Sequence, residues 1–184
     1  MAPIIPVVFQ AGDAGAWHIE RIDAVVGPLL PSAARLSVSS AYTPAPSATP
    51  ITWTLRGTAG HQRYVERLEK EQLVAVQEAL GRVGATNAAL IPIRKSDAWW
   101  DLAQDERRTI FETRSHHIAA SLKYLPAIAR RLYHSRDLGE PFDFLTWFEY
   151  GPEHAALFEE LVVTLRATEE WKYVEREVDI RLRR

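Results

Sequence analysis

The alternation near the C-terminus constrains the fold more than any other feature. From Tyr173 to Arg183, Val174, Val178, Ile180 and Leu182 fall on one face, opposite Glu175, Glu177, Asp179, Arg181 and Arg183. A period of two marks a strand with one face on a core. Arg176 also falls on the apolar face, and nothing there implies a ligand. The same alternation marks Ile51–Arg56 and Pro126–Tyr133, and Ile4–Gln10, His18–Val26, Asn87–Arg94 and Phe142–Tyr150 are strand-like. Ser39–Pro50 holds Pro44, Pro46 and Pro50 and reads as an exposed loop. Helices are expected from Thr58 (N-cap) to Gly81 (C′), from Ser96 across Trp99 and Trp100, and from Asp105 to Phe111. Another opens at Gly151-Pro152-Glu153 and buries Leu157, Phe158, Leu161, Val162 and Leu165. Antiparallel strands with helices on one side give an α+β fold with a curved sheet or barrel. No sequence repeat is visible.

The 184 residues suit one domain with a real core, and 47% apolar against 25% charged content is that of a globular protein. A net charge of −2 gives no electrostatic reason to expect nucleic acid or an anionic membrane. The chain has no cysteine, which excludes disulfides, thiolate catalysis, zinc–thiolate sites and iron–sulfur clusters. Neither a signal peptide nor a membrane-spanning stretch is visible, so the expected location is the cytoplasm. A Gly-rich phosphate loop, an HExxH helix and a GxSxG elbow are also missing.

Candidate chemistry centres on Arg114-Ser115-His116-His117-Ile118 and, thirteen residues after His117, Arg130. Either histidine could ligate a metal or be a hydrogen-bonded structural residue. Arg130 stands between Ile128 and Leu132 on one strand face. It is at a sheet edge, paired with a carboxylate such as Glu149 or Glu175, or available to an anion. Gln77 follows Leu73 by one helical turn and lies on or near the same buried stripe.

Several passages resemble the chlorite dismutase family of haem b proteins, and within it the short dimeric branch found in nitrite oxidisers and some cyanobacteria. They are Ile91–Trp100, Ser115–Ala120, Tyr124–Arg130, Phe142–Tyr150 and Thr168–Trp171. The resemblance implies a homodimeric, ferredoxin-like α+β barrel, as a single domain over 1–184. A shortened N-terminal half spans about 1–85 and a haem-binding half about 86–184. It implies His117 as the proximal ligand of haem b, Glu170 as acceptor for the other ring nitrogen, and Lys95 in the same network. Trp100, and with it Trp99, would pack near the haem, with Ile91 among the cofactor-binding residues. Arg130 would be the distal arginine and Gln77 its hydrogen-bonding neighbour. The implied reaction takes chlorite to chloride and dioxygen, through an oxo-ferryl centre and a hypochlorite fragment held by Arg130. Coprohaem decarboxylases of the same fold lack an arginine at this position. A peroxidase-like relative, or a haem-binding protein without enzymatic activity, would also be compatible with His117 as the iron ligand.

Overall fold

The computed structural model describes residues 6–40, 49–59, 67 and 79–184. The first four strands are β1 (Val7–Gly12), β2 (Trp17–Val26), β3 (Arg35–Ser40) and β4 (Ile51–Gly57). The last four are β5 (Asn87–Lys95), β6 (Ile128–His134), β7 (Phe144–Tyr150) and β8 (Val174–Arg183). All eight join one sheet in the order β4-β1-β3-β2-β8-β5-β7-β6, and every pairing is antiparallel. Each set of four thus runs in the order fourth, first, third, second. The repeat is one of topology, which residue identities do not display.

Thr58 and His134 exchange both backbone hydrogen bonds, at 2.9 and 2.8 Å. This bridge joins the ends of the two edge strands, β4 and β6, and closes the sheet into a barrel. Its interior is filled from both halves. Trp147 of β7 packs edge-on against Trp17 of β2, and Phe9 of β1 against Tyr133 of β6. Leu36, Leu55, Leu90, Leu145 and Ile180 complete this core. Each such side chain contributes about 1.5–3 kcal/mol on burial.

The outer face of β5–β8 carries a second core. The helix α4 (Ala155–Arg166) lays Phe158, Leu161, Val162 and Leu165 against Ala89, Ile91, Ile93, Phe148 and Tyr150. Between β5 and β6 the chain forms α1 (Asp97–Asp101), α2 (Gln104–Arg108), a π-helical turn (Thr109–Arg114) and α3 (His117–Leu122). The first half differs, because β1 passes to β2 through residues 13–16 with no helix. No helix among the described residues is long and apolar enough to cross a membrane.

Four local expectations change. Thr58 pairs with His134 instead of capping a helix, since β4 continues into the barrel closure. Of the helix expected beyond it, Arg67 is helical and Gly81 has the positive φ (+84°) of a helix-ending glycine. Residues 60–66 and 68–78, Gln77 included, lie outside the described residues. Asp105 does not cap α2; Ala103 is the cap, and its N–H donates to Glu106 Oε2 at 2.7 Å. Ser96 does precede α1, yet its side chain makes no capping bond. Ser39 and Ser40 belong to β3 instead of a loop, where the ladder to β1 overrides their weak strand preference.

Candidate functional site: a histidine–glutamate–lysine cluster near a half-buried arginine

The two sequence passages singled out above meet on the outer face of the second half. The π-helical turn ends with Ser115 N–H donating to Ile110 O at 3.1 Å, and His116 takes a left-handed conformation (φ 50°). This reversal restarts the chain as α3, whose first residue is His117. The two histidines part company here. His116 is exposed, whereas His117 is half-buried, stacks on Phe111 (centroids 4.4 Å apart) and places Nδ1 2.8 Å from Glu170 Oε2.

Glu170 lies in a 3-10 turn (Glu169–Tyr173) between α4 and β8 and is 5% exposed. Its second oxygen accepts from Lys95 Nζ at 2.8 Å. Lys95, the last residue of β5, is 4% exposed, and its ammonium lies over the rings of Trp99 and Trp171. Burial works to raise the Glu170 carboxyl, but the charges and hydrogen bonds of His117 and Lys95 outweigh it and hold the group at about 2. An anion at this position selects Nδ1–H on its neighbour, and in the neutral imidazole Nε2 of His117 is then the ring nitrogen with a free electron pair.

Arg130 projects from β6 on the same sheet face as Phe148, its cross-strand partner. Its Nη1 lies 3.5 Å from Ser121 Oγ, one turn of α3 beyond His117, and Ser121 Oγ itself donates to His117 O at 2.7 Å. Burial pushes the guanidinium below its ordinary value, although an arginine remains a cation at neutral pH. The two carboxylates named above as examples of a partner, Glu149 and Glu175, each have other contacts. Glu149 faces the barrel interior, where Trp147 Nε1 donates to it at 2.9 Å, and Glu175 pairs with Arg94 at 2.7 Å. Arg176, the control on β8, donates to Pro28 O and covers the Phe142 ring.

The remaining sequence candidates divide. Ile91 is buried on β5 in the outer core with Ile93 and Phe148. Trp99 is buried beside Lys95 and Tyr173. Trp100 stacks on Phe144 beneath Arg136 and donates Nε1 to Asp143 Oδ2 at 3.3 Å. Asp143 was not foreseen. The same oxygen takes the Lys95 backbone N–H at 2.7 Å, so Trp100 and Lys95 share one buried anchor. Ser115 was named only as part of its run, without a role; its Oγ accepts the Glu170 N–H at 3.0 Å. Both act on backbone groups, which leave no periodic signal in a sequence.

This donor set fits a haem. Among the described residues no group of three or more His, Asp or Glu is placed to hold a bare ion. A single imidazole held by a carboxylate suits an iron whose other positions a macrocycle fills. Leu132, 44% exposed on the Arg130 face of β6, adds apolar surface that a flat cofactor could cover.

The comparisons agree with this class of site. The family model described as chlorite dismutase matches residues 40–183, and the chain belongs to that family. Over 97% of its length it is 65% identical to a dimeric chlorite dismutase from Nitrobacter winogradskyi, covering 99% of that chain with a TM-score of 0.89. A chlorite dismutase from Candidatus Nitrospira defluvii, solved in complex with imidazole, shares the fold at 20% identity. Its TM-score is 0.72, with 98% of this chain and 91% of that one covered. The chlorite dismutase of Ideonella dechloratans is 36% identical over 86 residues, which are 47% of this chain and only 28% of that longer protein.

Proposed function

We propose that the protein is a homodimeric, haem b-dependent chlorite dismutase that converts chlorite to chloride and dioxygen, with 1–184 as one domain. The observation that carries this reading is the cluster of His117, Glu170 and Lys95, with Arg130 of β6 reaching Ser121, one turn of α3 beyond His117. The likeness to the dimeric Nitrobacter protein supports both the reaction and the dimer.

When bound, the haem iron supplies the redox chemistry that breaks the Cl–O bond. His117 would ligate it through Nε2. Glu170, held anionic by Lys95, accepts the Nδ1 proton bond, fixes the tautomer and makes the imidazole a stronger donor. Trp99 and Trp171 exclude water from the Lys95–Glu170 pair. Arg130 would draw the chlorite anion into an apolar setting; a guanidinium suits this because it keeps its charge and offers several donors in a fixed fork. Its 3.5 Å contact with Ser121 is weaker than the charge-assisted bond that an anion would make. The same side chain would retain the hypochlorite-level fragment until the O–O bond forms, making recombination intramolecular.

The test is oxygen evolution, measured with a Clark electrode after chlorite is added to haem-reconstituted protein. One dioxygen per chlorite is expected. A bound haem with no oxygen release would overturn the reading and redirect attention to coprohaem decarboxylation.

A further inference from the structure

We propose that Glu112 is a positioning residue for His117: it locks the start of α3 so that the imidazole is aimed at Glu170 before any cofactor arrives. The inference rests on the haem reading only for its second readout. Glu112 lies in the π-helical turn, five residues before His117. Its carboxylate reaches forward over the reversal at His116, taking the N–H of Ile118 at 2.7 Å and that of Ala119 at 3.3 Å. Its backbone oxygen takes the N–H of His116 at 2.9 Å. One residue therefore closes the turn on both sides of His117.

The arrangement answers a local problem. His116 sits at the N-cap position in a left-handed conformation, and no side-chain cap comes from it. A helix start leaves N–H groups without intrahelical partners, and an anion there is favoured by the local dipoles. Glu112 satisfies these groups from one turn upstream. The neighbouring Phe111 stacks on the His117 ring at an interplanar angle of 22°. The pair Phe111-Glu112 thus fixes the ring plane and the backbone that carries it. Glu170 then needs only to meet Nδ1, and Ser115 Oγ holds the Glu170 backbone in place for that.

Glu112→Ala, Glu112→Gln and, as a control, Glu106→Ala test the proposal; Glu106 caps a different helix by accepting the Ala103 N–H. In haem-free protein, proton NMR should show one hydrogen-bonded Nδ1–H resonance for His117. Glu112→Ala should lose or split that signal, and Glu112→Gln, which keeps one acceptor oxygen, should show an intermediate form. In haem-loaded protein, Glu112→Ala should release haem about tenfold faster, as loss of an outer partner does at metal sites. It should also shift the ferrous iron–histidine stretching band, while Glu106→Ala matches the wild type in every readout. A wild-type resonance and release rate in Glu112→Ala would overturn the proposal, as would the same changes in Glu106→Ala. Should Glu112→Ala not fold, an unchanged Glu112→Gln would overturn it equally. An intact His117 resonance in protein that takes up no haem would instead count against the proposed function alone.

Discussion

At the scale of single residues, Glu170 has the most at stake, because one buried carboxylate serves two partners. Replacing it by Gln removes the anion and strands Lys95, which is 4% exposed, without a counter-charge. Breaking a buried pair in this way costs about 3–5 kcal/mol. We expect Glu170→Gln to lower the urea midpoint of the haem-free protein, and to raise the reduction potential of the bound haem because His117 becomes a weaker donor. Spectroelectrochemistry reads the second effect; an unchanged potential would detach Glu170 from the cofactor. Arg130→Ala should do the reverse, sparing haem retention while lowering the turnover for oxygen release by about 10²–10³-fold, the usual effect of losing one anion-stabilising donor. Haem retention with undiminished oxygen release would refute the role given to Arg130. Adjacent His116 and His117 look equivalent in a sequence. The structure separates them by one left-handed backbone step, which residue type does not announce in a histidine.

At the scale of elements, β8 shows what alternation can and cannot tell. Its period of two correctly marked a strand, and Val178, Ile180 and Leu182 do enter the barrel core. The middle of the charged face opposite is not solvated: Glu177, Asp179 and Arg181 are 0%, 3% and 5% exposed, whereas Glu175 and Arg183 at its ends are exposed. Arg166 of α4 reaches down to Glu177 Oε1 at 2.6 Å and Asp179 Oδ2 at 2.9 Å, and Arg181 joins Asp179 to Glu159. Alternation alone cannot distinguish a face covered by water from one covered by a helix that supplies counter-charges. Val174 also departs from its expected companions. A bulge between Arg94 and Lys95 in the pairing with β8 turns it to the outer core. Burial works to raise the Asp179 carboxyl, and the bonds and charges of Arg181, then Arg166, overcome it and hold the group below its ordinary 3.8. A depressed folded value stabilises the protein above the unfolded value, and this is lost as pH falls through the folded one. Arg166→Leu should therefore cost about 3 kcal/mol near neutrality, chiefly from buried Glu177, which loses its Arg166 partner while Asp179 keeps Arg181. It should also move the acid unfolding midpoint, followed by circular dichroism, to higher pH. An acid midpoint unmoved by the substitution would show that the cluster contributes nothing to acid stability.

At the scale of the whole molecule, the barrel depends on a narrow closure. Strand β6, which carries Arg130, pairs with β7 on one side, and its other side meets the first half of the chain through the Thr58–His134 bridge. Gly57 makes this approach possible, since a Cβ there would lie 2.6 Å from Tyr133 Cβ and 3.0 Å from Ser135 Oγ. Nothing in the alternation of Ile51–Arg56 marks that glycine as a contact point, because its neighbour comes from 76 residues further along the chain. The repeated strand order is invisible for the same reason: pairing partners are fixed by long-range packing, and the two halves reach one topology with and without a helix after their first strand. Gly57→Ala should force β4 and β6 apart and cost about 1–3 kcal/mol, the usual range for overpacking. Hydrogen exchange locates the damage. The amides of Thr58 and His134 should exchange faster, with a smaller effect spreading along β6 toward Arg130. The β5–β8 ladder, inside the sheet, should keep its protection. Unaltered exchange at Thr58 and His134, together with an unchanged melting temperature, would mean that the bridge does not hold the barrel shut.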